Sequence, residues 1–222
     1  MDKIKLGILG LGSRSTTFYI NELNTLYNQE KGGYSSCPFT LLNYNFDAIN
    51  SLLPDASDSL DAIVQDYITE LEKTDIESIL IPNITLHETI DRLVTKKKII
   101  HPIHLAVAKI KEKNWSKIVL FGSMHSMQSH YISSNFKAHD IEVVLPSEVD
   151  RLRIDEVRNR VYSETETVEF IQDYHLLIEK YTTNNPVVLA CTELSVFNPK
   201  NNNKNILDMA QLQITEAVKT VL

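Results

Sequence analysis

Four short apolar runs, each ending in small or polar residues, punctuate the chain. Leu6-Gly7-Ile8-Leu9 leads into Gly10-Leu11-Gly12-Ser13, and Ser78-Ile79-Leu80-Ile81 leads into Pro82-Asn83-Ile84-Thr85. Further on, Ile118-Val119-Leu120-Phe121 leads into Gly122-Ser123, and Val187-Val188-Leu189-Ala190 leads into Cys191-Thr192-Glu193. Unbroken apolar runs of this length suit strands covered on both faces, as in a parallel sheet. Between them the period becomes helical: Leu60, Ile63, Val64, Tyr67, Ile68 and Leu71 fall on one face.

This pattern predicts strands over 4–9, 39–44, 78–81, 118–121 and 141–145, together with the run that ends at Cys191. It predicts helices over 15–27, 60–73, 86–94, 105–113, 126–136, 168–181 and 209–222. His101-Pro102-Ile103-His104 reads as a short strand or turn, and 31–38 and 201–205 read as loops rich in turn formers. The charged stretch between Pro146 and Val168 yields no element. Alternating βα units imply a parallel sheet with right-handed crossovers, its loops gathered at one edge.

The two halves echo each other. Gly12 and Gly122 stand 110 residues apart, Tyr19 and Tyr131 stand 112 apart, and Asn83 and Cys191 stand 108 apart. A nearly constant offset is the mark of a duplicated unit. The expected fold is therefore α/β, with two similar lobes, each a parallel sheet flanked by helices. They would be related by a pseudo-twofold axis, with a site in the cleft. The first lobe is expected to take 1–98 plus 206–222, with the last helix folding back onto it, and the second 99–205.

Composition narrows the function. The chain has 222 residues, 43% apolar and 23% charged, with a formal net charge of −7. These are the proportions of an ordinary globular protein. An acidic balance argues against sequence-independent nucleic-acid binding, which needs a basic surface. Met1-Asp2-Lys3-Ile4-Lys5 runs straight into a strand with no cleavable leader, so a cytoplasmic location away from membranes is expected. Cys37 and Cys191 are the two cysteines, too few for a disulfide framework. His101/His104 and His125/His130 lack neighbouring cysteine or carboxylate in sequence, so no metal site is expected.

Gly10-x-Gly12-x-x-Ser15 resembles part of a dinucleotide fingerprint, but the third glycine is missing. No Asp or Glu closes the second strand, which ends at Asn43 and Tyr44. These glycines instead suit close approach of backbone to a smaller anionic ligand. A free cysteine is often a small buried apolar group. At Cys191, however, the Thr192-Glu193 sequence and the duplicated strand end point to chemistry, because ligands of open α/β sheets bind at the carboxyl ends of strands.

Nearly the whole chain resembles the aspartate/glutamate racemase superfamily. The resemblance rests on Leu9-Gly10-Leu11-Gly12 with Ser15-Thr16, on Asn43-Tyr44-Asn45-Phe46 and on Pro82-Asn83-Ile84-Thr85-Leu86-His87. In the second half it rests on Gly122-Ser123-x-x-Ser126-Met127 with Tyr131, on Pro146 and above all on Ala190-Cys191-Thr192-Glu193-Leu194. It implies a cofactor-independent amino-acid racemase or epimerase, acting on an aspartate/glutamate-like amino acid or a small dicarboxylate, and a homodimer. Such enzymes remove a proton beside a carboxylate with no electron sink, so N–H groups and hydroxyls must stabilise the carbanion. A thiol is a suitable base once ionised.

Family members that interconvert enantiomers typically use one cysteine per lobe. Cys191 matches the second, whereas Asn83 occupies the first position, and an amide is no proton base near neutral pH. Ile84 replaces a common asparagine, while Thr85 and His87 fit the pattern. The resemblance thus makes Cys191, Asn83 and Thr85 the candidate catalytic set. Gly12, Ser13, Arg14, Asn45, His87, Ser123, Ser126, Thr192 and Glu193 are the candidate substrate-binding residues. Arg14 would grasp a second carboxylate, and Glu193 a substrate amine or the start of its own helix. Three readings stay open: a racemase whose other face is served by Thr85, His87 or water; a one-thiol decarboxylase or isomerase; and a non-catalytic carboxylate binder.

Overall fold

The computed structural model describes residues 3–53, 57–198 and 203–222. In chain order the elements are β1 (Leu6–Gly10), α1 (Ser13–Lys31), β2 (Phe39–Asn43), α2 (Asp47–Asn50), α3 (Asp58–Glu72), β3 (Ser78–Leu80), α4 (His87–Ile90), β4 (Lys98–Ile99), α5 (Pro102–Glu112), β5 (Lys117–Phe121), α6 (Met124–Gln128), α7 (His130–Lys137), β6 (Glu142–Val144), α8 (Glu148–Tyr162), α9 (Val168–Thr182), β7 (Val187–Leu189), α10 (Thr192–Val196), β8 (Ile206–Asp208) and α11 (Met209–Val221). The chain is α/β, with two four-stranded parallel sheets flanked by helices. One compact unit comprises Met1–His101 and Leu212–Leu222, the other Pro102–Gln211, so the chain passes between them inside α11.

The sheets share one topology, β2-β1-β3-β4 in the first unit and β6-β5-β7-β8 in the second. Central strands β1, β3 and β7 are buried throughout, whereas edge strands β2 and β6 are partly exposed. That is why the central strands read as continuous apolar runs and the edges do not. Strand pairing also refines the duplication. Ile8 pairs with Leu80 in the first sheet and Leu120 with Val188 in the second. Partners in the first sheet stand 72 residues apart and those in the second 68, so the repeat offset is four residues smaller at β3/β7 than at β1/β5.

In the first unit, Leu60, Val64, Ile68 and Leu71 are the buried stripe of α3. Its start is fixed by Ser57, whose hydroxyl accepts from the Leu60 N–H at 3.2 Å. Tyr44 and Tyr67 stack at 3.8 Å beside this core, in keeping with a packing role for the aromatic second strand. Tyr19 is fully buried, and its hydroxyl donates to Gln213 Oε1 at 2.6 Å, tying α1 to the last helix.

Several elements differ from the sequence pattern, each for a local reason. Pro102 opens α5 at its first position, where a missing N–H costs nothing, so His101–His104 is a helix start rather than a strand. The helix expected over 126–136 is two, because Ser129 turns extended and caps α7 by accepting from the Ile132 N–H at 3.2 Å. The largest omission is α8. Its buried residues Ile154, Val157 and Val161 make a stripe only one residue wide amid charges. Ser147 caps it, accepting from the Asp150 N–H at 3.3 Å. Of the loop expected over 201–205, Asn201 and Asn202 lie outside the described residues, as do Met1 and Asp2 of the expected leaderless start.

Candidate active site

Parallel strands bring all their carboxyl ends to one edge of a sheet. In the second unit that edge carries Gly122 and Ser123 after β5, and Ala190 and Cys191 after β7. The Ala190 N–H donates to the Phe121 carbonyl at 2.7 Å, locking the two tips together. Gly122 is required there: a Cβ would stand 2.9 Å from the Ser126 Cβ and 3.4 Å from the Ala190 carbonyl oxygen. Ser123 is the N-cap of α6, accepting from the Ser126 N–H at 3.0 Å, and its hydroxyl lies 2.9 Å from that of Ser126. Ser126 and Thr192 are buried, and Ser123 and Glu193 are half-buried.

Cys191 sits in extended conformation as the N-cap of α10, 9% exposed, and belongs to the core cluster that includes Met127, Val157, Val161 and Leu194. Its thiol donates to Glu193 Oε2 at 2.9 Å. Burial pushes the thiol's pKa well above the usual value, and the charge and hydrogen bond of Glu193 push the same way, while the Arg158 guanidinium pulls it back. At neutral pH the sulfur is therefore protonated. By contrast Cys37, whose pKa burial raises to about 11, has no carboxylate among the causes of its shift and lies in the loop before β2.

Two carboxylates that no sequence motif marks, Asp208 and Asp155, hold this edge in place. Asp208, at the end of β8, accepts from the Ser195 hydroxyl at 2.7 Å, the Asn198 amide at 3.0 Å and the Ala210 N–H at 2.9 Å. Ser195 also lies 3.3 Å from the Cys191 carbonyl, so Asp208 braces the turn that carries the thiol. Burial raises the Asp208 pKa although every one of these bonds opposes it. Asp155, on α8, accepts from the Met124 N–H at 2.9 Å and from Arg158 Nε at 3.0 Å, joining α8 to the tip of β5.

The first unit places its candidates at the corresponding edge. Gly12 is buried as the N-cap of α1; Ser13 and Arg14 open that helix, the first exposed and the second half-buried. Asn45 is exposed, its side-chain oxygen accepting from the Asp47 N–H at 3.2 Å. Asn83 and Thr85 are half-buried. The Asn83 side-chain oxygen accepts from the Leu86 N–H at 3.1 Å, so the amide caps a turn. His87 has no exposed surface: its Nδ1 donates to the Asn83 carbonyl at 2.8 Å, and its ring meets His101 edge-on at 4.7 Å. The geometry makes His87 a brace for the Asn83 turn. His101 in turn pairs with Asp91 at 3.4 Å.

The only signal that could have found Asp155 and Arg158 is the spacing of Ile154, Val157 and Val161 behind Ser147, a capping residue three positions before Asp150.

The family model for Asp/Glu/hydantoin racemase matches residues 8–217. Solved structures agree in fold. Aspartate racemase from Picrophilus torridus superposes with a TM-score of 0.76 at 19% identity, covering 99% of this chain and 94% of that one. An aspartate racemase homologue from Pyrococcus horikoshii OT3 gives 0.78 at 16% identity, covering 97% of each chain. A glutamate racemase isoform from Bacillus anthracis gives 0.61 at 14% identity, covering 96% of this chain and 79% of that one. No curated protein matches by sequence.

Proposed function

The chain belongs to the Asp/Glu/hydantoin racemase family, and from that premise we propose that it is a cofactor-independent racemase or epimerase of an amino acid, with Cys191 as the group that exchanges the Cα proton. The observation that carries this reading is the thiol of Cys191 held 2.9 Å from the Glu193 carboxylate at the carboxyl end of β7. A buried thiol, a partner able to take its proton and neighbouring hydroxyls are what proton transfer beside a carboxylate needs.

The chemistry follows from the charges. With the site empty, Glu193 keeps the sulfur protonated. A substrate ammonium brought against Glu193 cancels that carboxylate's push and lets the thiol ionise more readily. The thiolate then takes the Cα proton, leaving the electron pair delocalised into the substrate carboxylate, where the hydroxyls of Ser123 and Thr192 act as neutral donors. A thiol that returns this proton restores the starting enantiomer; inversion takes a proton on the opposite face of the carbanion, which in this reading comes from water. No cofactor is required by this route. Among the described residues no helix is long and apolar enough to cross a membrane. The same reading takes the protein as a cytoplasmic homodimer without nucleic-acid partners.

One observation favours a second reading. The amide of Asn83, just beyond β3, already caps a turn, and a one-thiol decarboxylase or isomerase of a small carboxylic acid would need no second thiol there. Incubation with amino acids in deuterated water separates the two. The first reading expects deuterium at Cα together with loss of optical activity, and both should vanish in Cys191→Ala. No uptake from any amino acid, with protonated product from an activated malonate, would replace it with the second.

A further inference from the structure

Along the chain, His101 and His104 have no acidic residue beside them. The fold supplies one. Asp91 closes the short helix α4, its N–H donating to the His87 carbonyl at 3.1 Å. Its Oδ1 lies 3.4 Å from Nε2 of His101, the last residue before α5. His104 follows as the third residue of α5, one turn further along the same stretch of chain. One ligand atom from each of the three lies within 4.8 Å of the others.

These separations are those of a coordination shell. Metal–ligand bonds of about 2.1 Å in a tetrahedral array put neighbouring ligand atoms about 3.4 Å apart, and Asp91 and His101 already stand at that distance. A charge-assisted hydrogen bond between the same two atoms would close to about 2.7–2.9 Å. Asp91 and His104 are exposed, so a change of rotamer is enough to bring them in. His101 is the fixed member. Its side chain is 4% exposed, and its ring stands edge-on to that of the enclosed His87 at 4.7 Å. The backbone just before it is pinned by the Gln213 amide, which donates to the Ile100 carbonyl at 2.7 Å.

The donor set selects the ion. Two imidazole nitrogens and one carboxylate suit zinc, cobalt, nickel or copper, whereas calcium and magnesium favour oxygen throughout. We propose that Asp91, His101 and His104 form a binding site for a divalent transition-metal ion of the zinc class. The site shares no residue with the edge that carries the thiol and does not depend on the racemase reading. Its role is structural: His101 packs on His87, whose Nδ1 donates to the Asn83 carbonyl at 2.8 Å, so an ion that clamps His101 stiffens the turn beyond β3.

Calorimetric titration of the chelator-treated protein with zinc chloride tests this. One ion should bind per chain with a Kd of about 10 μM or tighter, and saturation should raise the Tm by about 5 °C. Cobalt(II) in place of zinc should give the visible absorption of a nitrogen and oxygen site, without the sulfur-to-metal band of a thiolate ligand. His101→Gln and His104→Gln should each weaken zinc binding by about a hundredfold, and Asp91→Asn by about tenfold. Should His101→Gln fail to fold, His104→Gln and Asp91→Asn, both at exposed positions, decide the matter. His130→Gln and Cys191→Ala should bind zinc as the native protein does. A native Kd weaker than about 1 mM would overturn the proposal. So would unchanged affinity in His104→Gln and Asp91→Asn, which would leave the cluster an ion pair alone, or a loss in Cys191→Ala, which would put the ion on the thiol.

Discussion

The ends of β3 and β7 hold the same place in two sheets of identical strand order, yet one carries an amide and the other a thiol. Around the thiol the structure gathers charge: Glu193 in contact with it, Arg158 acting on it, and Asp208 bracing its turn. Around the amide it gathers capping and packing: Asn83 closes a turn onto Leu86, and a fully buried histidine holds the Asn83 carbonyl. Duplication supplies two equivalent scaffolds, and the local side chains decide which strand end is charged for chemistry and which is used to stabilise a turn.

The sharpest way to break this contrast is Cys191→Ala. Cα exchange should fall by about a thousandfold or more, the scale of a lost acid/base group; exchange that persists would take the sulfur out of the mechanism.

Next in size is the anchor between α8 and α9. Asp150 is buried and accepts from Lys180 at 2.6 Å, Tyr181 at 2.7 Å and Ser147 at 2.8 Å. Burial alone would raise its pKa, but these bonds outweigh it and bring the value to about 2, against 3.8 for the free side chain. A depressed carboxylate stabilises the fold above the unfolded value and loses that contribution as pH falls from about 4 to about 2. The amount is about 2 kcal/mol. Asp150→Ala should therefore lower the urea-unfolding free energy by about 2–3 kcal/mol at neutral pH and flatten its fall in acid. An unchanged unfolding midpoint would contradict the assignment.

Glu193→Gln removes a charge while keeping the shape. Binding of an amino acid should weaken by about tenfold as its ammonium loses an ionic partner. At the same time, the pH profile for alkylation of Cys191 should move to lower pH. Burial still raises the thiol's pKa in this variant, but the carboxylate no longer adds to it. A profile that stays in place would show that the two side chains are not coupled.

The smallest effect belongs to the amide. Asn83→Cys removes a side-chain cap and should cost about 1 kcal/mol in thermal or denaturant unfolding. It should also raise the racemisation rate by installing a second thiol at the repeat position. A rate that does not change would count against the mirrored use of the two strand ends.

Much of this was legible in the order of residues. The central strands announced themselves because burial on both faces demands uninterrupted apolar runs. The duplicated strand ends marked Cys191 and Asn83 before any coordinates. The edge strands β4 and β8 did not stand out, being two and three residues long, nor did α8. Helix α8 buries one narrow stripe and surrounds it with Arg, Asp and Glu, so its amphipathic signal is weak although Ile154, Val157 and Val161 are firmly packed. Missing that helix meant missing Asp155 and Arg158. His87 illustrates the opposite case: its motif position suggested contact with substrate, whereas its imidazole is wholly enclosed and bonded to Asn83.

The sequence by itself determined the α/β class, the doubling of the unit and the presence of a single thiol at a strand's carboxyl end, because hydrophobic period and repeat offset are properties of the chain read in order. Only tertiary structure decided the state of that thiol. Its proton is held by burial and by Glu193, and the opposing charge comes from Arg158, on a helix more than thirty residues earlier. Electrostatic environment depends on which atoms meet in space and how much water they exclude, and no spacing along the chain encodes that.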